Sequence, residues 1–424
     1  MSKTIKMNEV KRLINYTIDN NLNLQSNGKT PIAVCLEAVA GIGKTSILEQ
    51  VAQERGMTYS KISLHELEEV GDLVGMPIIE YECQMAKRIK TEDGTVKMQI
   101  LPNTVWLSAK QMDSMDKSTA VRQTGKTRMG YAKPSWVPEY NDNGTLVVLD
   151  DYGRATSQLL QACMELIYTQ KYVSWSLPKK TSIFLTSNPD DGTYNINTQD
   201  EAQTTRFLKF NLEFSEDAWS EWAEKDGMDG RCINFVMMYS KELFSSDEEG
   251  NHICNPRSFS MFANMISGLK DWDDPKTLGF INTLASGCFQ DEQDKFSRMF
   301  TAFLRNKMHV LIQPKDMLEG SWDRVKSLME SCLYDTNGAY RPDISSLLER
   351  RFVNYINAWL DTDGKTPINK VKDRILDFIE TEDKGGKRLF NKDLFYHMIK
   401  TLTSGHKNQT NKLLFEPKIA EMIS

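Results

Sequence analysis

The chain has 424 residues, 40% of them hydrophobic, which is enough for two or three domains with hydrophobic cores. Its net charge is −6, from 52 Lys and Arg against 58 Asp and Glu, so the whole chain lacks the basic balance of a nucleic-acid-binding protein. No apolar run approaches the length of a membrane span, the first residues lack a signal-peptide core, and the seven scattered cysteines include no Cys-x-x-Cys pair. These features predict a cytoplasmic protein with reduced cysteines and no membrane contact.

The first 54 residues contain a predicted strand, a glycine loop and a predicted helix in succession. After an amphipathic segment at 4–20 that predicts a helix, the apolar run at 32–36 predicts a buried strand. The run Ala38-Val-Ala-Gly-Ile-Gly-Lys-Thr45 follows, and residues 45–54 have the apolar spacing of a helix. Strand, glycine loop, Lys-Thr and helix are the context that a phosphate-binding loop requires, whereas the alternative is a plain strand-turn-helix connection.

This loop predicts a site for ATP and Mg²⁺. The backbone N–H groups around Gly41, Ile42 and Gly43 would surround the phosphates at the N-terminus of a helix. Lys44 would contact the β- and γ-phosphates, the hydroxyl of Thr45 would bind Mg²⁺, and the next residue, Ser46, belongs to the same predicted site. The pattern departs from the usual one at its first position, where alanine replaces glycine.

A second segment, Ala120-Val-Arg-Gln-Thr-Gly-Lys-Thr127, has the same spacing. No apolar run precedes it, and the residues after it, which include Pro134, cannot form a helix. We therefore expect this second copy to be a solvated basic loop that binds no nucleotide.

Short apolar runs that alternate with helical patterns predict a parallel α/β sheet. The runs are 32–36, 59–62, 146–149, 182–186 and 208–214. A polar insertion at 81–137, with ten Lys or Arg against five Asp or Glu, interrupts them, and 96–100 and 105–107 are its candidate strands. Its basic residues would form a basic surface, or alternatively a solvated loop. These residues are Lys87, Arg88, Lys90, Lys110, Arg122, Lys126, Arg128 and Lys133.

Polar residues end two of the predicted strands. Asp150 and Asp151 follow the run at 146–149, where side chains face a ligand held at the carboxyl edge of a sheet. Asp150 would orient Mg²⁺ and Asp151 would polarise the attacking water, although a helix N-cap is the alternative interpretation. Asn188 ends the run at 182–186 and would hydrogen-bond the water or the γ-phosphate; otherwise Asn-Pro is a turn signal.

After residue 215 strand patterns fade and helical patterns predominate. Arg206 precedes the last predicted strand, and Arg257 begins a helix in this later region. Arginines at such positions are usually surface charges. In an oligomeric ATPase, a planar and permanently charged side chain at either position would stabilise phosphate charge.

Taken together, the motifs resemble those of the MoxR-like AAA+ ATPases over about residues 8–270. In chain order they are Ala40-Gly-Ile-Gly-Lys-Thr-Ser46, Asp72-Leu-Val-Gly-Met-Pro77, Tyr131-Ala-Lys-Pro-Ser-Trp-Val-Pro138, Asp150-Asp-Tyr-Gly-Arg-Ala155, Ser187-Asn-Pro189, Ala202-Gln-Thr-Thr-Arg-Phe207 and Trp219-Ser-Glu-Trp-Ala223, with Pro256-Arg257 beyond them. The departures from the family pattern are Ala38 for the first glycine, Ala40 where proline is common, and Asp151 for glutamate.

The resemblance implies a P-loop α/β domain at 1–214 with helices on both faces of a parallel sheet, a helical lid at 215–270 and a helical domain at 271–424. It also implies that Arg206 is an arginine finger for a neighbouring subunit, and that Arg257 is a sensor that closes the lid on the nucleotide. A homo-oligomeric ring, most often a hexamer, would then use ATP hydrolysis to remodel an unknown protein partner.

Two other functions fit the same sequence. The basic insertion favours a nucleic-acid motor or loader, which salt-dependent binding to DNA or RNA would reveal. The aspartate at position 151 favours a nucleotide-gated scaffold with little hydrolysis, because its side chain is one methylene shorter than glutamate.

Overall fold

The computed structural model describes residues 4–90, 96–115, 119–189, 204–244, 253–289, 294–335, 337–360, 368–382, 386, 388–405 and 410–423. The chain forms two compact units. The first consists of Met1–Ile5, Glu9–Val39 and Gly43–Leu212, and the second of Lys6–Asn8, Ala40–Ile42 and Glu213–Ser424.

A six-stranded sheet forms the centre of the first unit. Its strands are β1 (Thr4–Lys6), β2 (Ala33–Glu37), β3 (Thr58–Ser63), β7 (Thr145–Asp150), β8 (Thr181–Ser187) and β9 (Phe207–Glu213). Their order is β1-β9-β2-β8-β7-β3, and the last five pair in parallel. The five predicted strands and the parallel α/β fold are therefore confirmed.

Helices cover both faces of this sheet. They are α1 (Met7–Ser26), α2 (Lys44–Glu54), α3 (Val70–Val74) and α5 (Ser157–Thr169). Residues along β2, β7 and β8 point alternately to opposite faces, yet nearly all of them are buried. Continuous apolar runs of this kind are typical of a parallel sheet covered on both sides. The N-terminal prediction needs correction, because residues 4–6 form an edge strand beside β9 and the helix extends from Met7 to Ser26.

A second sheet of three antiparallel strands accounts for most of the polar insertion. It contains β4 (Pro77–Lys90), β5 (Val96–Ser108) and β6 (Thr119–Tyr131) in the order β5-β4-β6, with the short helix α4 (Ala109–Asp113) between β5 and β6. The expectation that Ala120–Thr127 is a loop is wrong, because these residues pair with β4. The two candidate strands at 96–100 and 105–107 belong to the single strand β5.

The second unit is helical over its described residues. Its helices are α6 (Glu216–Asp226), α7 (Gly230–Phe244), α8 (Pro256–Ile266), α9 (Pro275–Cys288), α10 (Lys295–Arg305), α11 (Pro314–Glu319), α12 (Trp322–Leu333), α13 (Pro342–Leu360), α14 (Ile368–Glu380), α15 (Lys392–Gly405) and α16 (Pro417–Ile423). Aromatic side chains fill its core. Phe235, for example, contacts Phe296, Phe300 and Phe303 at ring-centroid distances of 5.3–5.5 Å. The helical prediction for this region is confirmed.

The structure also agrees with the predictions made for the cysteines and, over its described residues, for the absence of a membrane-spanning helix. All seven cysteines are free and five of them are buried. Burial raises the pKa of the Cys35 and Cys163 thiols to about 12, so both stay protonated at neutral pH. Across the described ranges, no helix is both long and apolar enough to span a bilayer.

Candidate nucleotide-binding site

The glycine loop between β2 and α2 has the backbone conformation that its glycines allow. Gly41 and Gly43 have φ angles of +81° and +99°, in the left-handed region that side chains with a Cβ rarely adopt. Ala38 instead continues the strand, because its N–H donates to the carbonyl of Ser187 at 3.1 Å. Alanine therefore introduces no backbone strain at the position where the usual pattern has glycine.

Lys44 is the first residue of α2, and its ammonium group lies inside this loop. The residue is only 8% exposed. Its Nζ donates to the carbonyl oxygens of Ala38 and Val39 at 2.6 and 3.2 Å, and to the side-chain oxygen of Asn188 at 2.9 Å. A buried ammonium group needs oxygen partners, and phosphate oxygens are stronger partners than neutral carbonyls.

A chain of hydrogen bonds joins the carboxylate of Asp150 and the backbone N–H of Asp151 to the start of α2. The hydroxyl of Thr45 donates to Oδ1 of Asp150 at 2.9 Å, and the hydroxyl of Thr186 donates to the same oxygen at 2.5 Å. The backbone N–H of Asp151 donates to the Thr186 hydroxyl at 3.1 Å. These bonds hold Asp150 beside Thr45, and they fix the backbone from which the Asp151 side chain projects.

Asp151 does not use its carboxylate as a helix cap. It precedes the short 3₁₀ turn Tyr152–Arg154 with a φ of +53°, and its side chain makes no capping hydrogen bond. Asp151 therefore occupies the N-cap position of this turn, but its carboxylate does not act as a cap. The Oδ2 atom of Asp151 lies 3.8 Å from Nδ1 of His65, and the carboxylate stands at the same sheet edge as Asp150.

The donor set fits Mg²⁺ bound together with a triphosphate. Mg²⁺ in such sites uses one or two protein oxygens and completes its six ligands with phosphate oxygens and water. Thr45 and Asp150 supply two such oxygens 2.9 Å apart. Within the part of the chain that the structure describes, no group of three or more His, Cys, Asp or Glu side chains forms a metal cage, so a dedicated all-protein site is not present there.

Three contributors to this site were missed by sequence reasoning. Thr186 bonds Asp150, Lys61 Nζ lies 3.7 Å from Oδ2 of Asp150, and His65 lies near Asp151. Lys61 and His65 come from β3 and the turn after it, and β3 pairs directly with β7. The alternation of side chains along β3 predicts which of its residues share a face. Only the pairing of β3 with β7 shows that Lys61 shares its face with Asp150.

The remaining predicted site residues are placed as follows. Ile42 is buried in the loop, and Ser46 is exposed on α2. Arg206 is partly exposed in the turn before β9, and residues 202–203 of its motif lie outside the described residues. Arg257 is exposed in the first turn of α8, a helix of the second unit that Asn255 caps. The structure pairs Lys44 with Asn188 and the adjacent Thr45 with Asp150, whereas the roles of both arginines stay predictions.

The predicted basic surface is partly neutralised by ion pairs. Arg128 pairs with Glu80 at 2.8 Å, Lys126 with Glu82 at 3.4 Å and Lys133 with Glu139 at 3.0 Å. Lys110 and Arg122 are exposed. The side chains of Lys87, Arg88 and Lys90 lie outside the described residues. Three of the five basic residues whose side chains are described thus have carboxylate partners, which weakens the case for a phosphate-binding face.

The parallel sheet and the glycine loop that leads from β2 into α2 define a P-loop α/β fold, with Asp150 and Asp151 at the carboxyl end of β7. No protein-family model and no curated protein matches this sequence. Among solved structures, a candidate ATPase from Cytophaga hutchinsonii is 12% identical, with 70% of this chain and 89% of that chain aligned at a TM-score of 0.27. A variant of RuvB from Thermotoga maritima is 11% identical, with 92% of this chain and 95% of that chain aligned, also at 0.27. A TM-score of 0.27 is too low to indicate a shared fold, and the P-loop α/β fold follows instead from the sheet order and the glycine loop.

Proposed function

We propose that this protein binds ATP with Mg²⁺ and hydrolyses it. The observation that carries the proposal is a set of two hydrogen bonds from adjacent residues at the start of α2, one from Lys44 to Asn188 and one from Thr45 to Asp150. Both contacts join residues more than 100 positions apart along the chain. They place a cation, a hydroxyl, a carboxylate and an amide around the start of one helix, which is the set of groups that a nucleoside triphosphate and its metal need.

The residues would divide the work as follows. Lys44 and the backbone of Gly41–Gly43 would hold the β- and γ-phosphates, while Thr45 and Asp150 would hold Mg²⁺. Bound Mg²⁺ would supply charge neutralisation at the phosphate oxygens. Asp151 would polarise the attacking water, and Asn188 would orient that water or the γ-phosphate. Because Lys44 donates a hydrogen bond to Asn188, phosphate oxygens bound by Lys44 would lie close to the Asn188 side chain.

We further propose that the chain acts as a MoxR-like AAA+ ATPase in a homo-oligomeric ring, with a hexamer the favoured assembly. Arg206 would reach the site of a neighbouring subunit, and Arg257 would report the bound nucleotide to the second unit. The ring would remodel a protein partner in the cytoplasm. The order of the sequence motifs supports this finer proposal, and the helical second unit agrees with a lid and a helical C-terminal domain.

One alternative keeps a specific observation in its favour. Asp151 has a shorter side chain than the usual glutamate and would hold the attacking water less closely. The resulting slow hydrolysis would be sufficient for a nucleotide-gated scaffold. The nucleic-acid motor is less favoured, because Lys126, Arg128 and Lys133 are engaged with carboxylates.

The two Gly-Lys-Thr copies provide a matched test of the proposal. Lys44→Ala is expected to weaken ATP binding about 100-fold or more, as the loss of two charge-assisted hydrogen bonds implies. Lys126→Ala removes the same side chain from the second copy and is expected to leave ATP affinity unchanged. Calorimetric titration with ATP and Mg²⁺ measures both, and circular dichroism verifies folding. ATP affinity equal to wild type in Lys44→Ala would refute the proposed function.

A further inference from the structure

The two carboxylates of the candidate site face basic side chains from a single segment of the chain. Lys61 Nζ is 3.7 Å from Oδ2 of Asp150, and His65 Nδ1 is 3.8 Å from Oδ2 of Asp151. Lys61 belongs to β3, and His65 to the short 3₁₀ turn Leu64–Glu66 that follows it. The segment after the glycine loop and its helix thus supplies one basic group to each acidic group of the site.

The position of Lys61 follows from the register of the sheet. Ser63 pairs with Asp150 and Lys61 pairs with Val148 across the parallel ladder between β3 and β7. Residues two apart along a strand point to the same face, so the side chain of Lys61 extends along the face that carries Asp150. The register of β3 and β7 therefore places Lys61 close to Asp150.

The two oxygens of Asp150 have different partners. Oδ1 accepts the hydroxyl protons of Thr45 and Thr186, while Oδ2 faces the Lys61 ammonium group. The side chain of Asp150 is 15% exposed and that of Lys61 is 43% exposed. A carboxylate this deep beside a phosphate-binding loop would repel a triphosphate, and a cation at Oδ2 reduces that repulsion.

We propose that Lys61 is a counter-ion that neutralises the Asp150 carboxylate from its Oδ2 side when Mg²⁺ is absent, and that turns away when Mg²⁺ binds the carboxylate. This inference rests on the proposed function, since it concerns the metal ligand of the same site. Lys61 carries one charge where Mg²⁺ carries two, and its long, partly exposed side chain can turn to solvent at low cost. The site would then tolerate metal-free nucleotide and would bind the metal less tightly than an unopposed Asp150.

Replacing Lys61 should change two affinities in opposite directions, that for the metal and that for metal-free ATP. Lys61→Met is expected to tighten the binding of Mn²⁺, a spectroscopic substitute for Mg²⁺, to the ADP complex by about three- to tenfold, because a like charge beside the metal is removed. The same variant is expected to weaken ATP binding in EDTA by about threefold, because Asp150 is left unopposed. Electron paramagnetic resonance measures free Mn²⁺, and calorimetry measures ATP affinity. Loss of a merely structural contact would weaken both.

Lys133→Met is the matched control. Lys133 pairs with Glu139 at 3.0 Å and its side chain is 40% exposed, so this variant removes one positive charge of similar exposure from the first unit. It is expected to change neither affinity. Lys61→Gln provides a second, polar replacement and should behave as Lys61→Met does.

The outcomes separate this inference from the proposed function. Mn²⁺ affinity in Lys61→Met and Lys61→Gln that equals or falls below wild type would overturn the counter-ion role. When Asp150→Asn is added to each protein, the Lys61 variants should no longer differ from the protein with Lys61 in Mn²⁺ affinity. If wild type with ADP binds no Mn²⁺, or if Asp150→Asn binds it as wild type does, the proposed metal site itself is wrong, and the counter-ion role with it.

Discussion

Residues 38–45 and 120–127 share the spacing Ala-x-x-x-x-Gly-Lys-Thr, yet they occupy different structures. In the first segment Gly43 ends the loop, Lys44 begins helix α2, and the lysine is 8% exposed. In the second segment the whole run lies in strand β6, and the side chain of Lys126 is 73% exposed beside Glu82. One segment forms the loop and helix start that we propose bind phosphate, and the other forms part of an edge strand.

The difference does not come from the glycine itself. Gly43 and Gly125 have φ angles of +99° and +92°, so both adopt the left-handed conformation. What differs is the surroundings. The residues after Thr45 form a helix with one buried face, whereas those around Thr127 pair with β4, where the register shifts between Tyr81 and Cys83. Buried oxygens surround the Lys44 ammonium group, whereas solvent surrounds most of the Lys126 side chain.

Replacing Arg206 has the largest expected effect on ATP turnover. It tests whether the site around residues 38–45 is complete within one chain or needs a neighbouring subunit. Arg206→Ala should bind ATP normally yet turn it over on the order of 10³-fold more slowly, as the loss of an arginine finger implies. Lys44→Ala should be inactive for a different reason while still presenting its own Arg206. In an exchanging equal mixture, roughly a quarter of the interfaces would pair an intact pocket with an intact finger. Steady-state ATPase assays on the mixture should therefore recover partial activity.

Two results would contradict that expectation. Full activity of Arg206→Ala alone would show that the finger assignment is wrong. A mixture that stays inactive although its subunits exchange would show that Arg206 acts within its own chain, or that the ring needs every site intact.

The two aspartates should give the next largest effect. Asp151→Asn should keep ATP bound but slow turnover by about 10²-fold or more, as the loss of a general base implies. Asp150→Asn should instead weaken Mg²⁺-dependent nucleotide binding, because it removes the carboxylate that lies beside Thr45. Turnover and nucleotide affinity, measured for both variants, separate the two roles. Equally fast turnover in wild type and Asp151→Asn would show that the catalytic carboxylate lies elsewhere, and equally slow turnover in both would favour the scaffold alternative.

The two left-handed glycines allow a smaller and more direct test. Gly43→Ala should reduce ATP affinity by about tenfold or more, because a Cβ at that φ costs about 1–2 kcal/mol and distorts the loop that holds the phosphates. Gly125→Ala should cost about 1 kcal/mol in the free energy of unfolding and leave ATP affinity unchanged. No atom lies within 4 Å of a Cβ placed at Gly125, so only the backbone conformation is strained there. Equal losses of ATP affinity in both variants would erase the distinction between the two segments.

The smallest expected effect concerns nucleic acid. Because Lys126, Arg128 and Lys133 pair with Glu82, Glu80 and Glu139, we expect no measurable binding to single- or double-stranded nucleic acid at low salt. Fluorescence anisotropy over a range of salt concentrations measures this. Binding whose salt dependence flattens when all three basic residues are changed to glutamate would revive the motor alternative.

The sequence alone determined the part of the molecule that depends on neighbouring residues. Buried strands are continuous apolar runs, and α2 has a regular apolar spacing, so the strand, loop and helix around Lys44 were predicted to within one or two residues. The candidates at Thr45, Asp150 and Asn188 followed, because polar residues after buried strands meet at one edge of a parallel sheet.

Tertiary structure alone decided which distant residues complete that edge and what the insertion becomes. Thr186 bonds Asp150 across 36 positions, and Lys61 reaches the same carboxylate only because β3 pairs with β7. Strand β6 is mostly exposed and polar, so its sequence lacks the apolar signal of a strand and its structure depends on pairing with β4. Pairing between strands far apart in the chain leaves little trace in local composition, because the hydrogen bonds that create it come from the backbone.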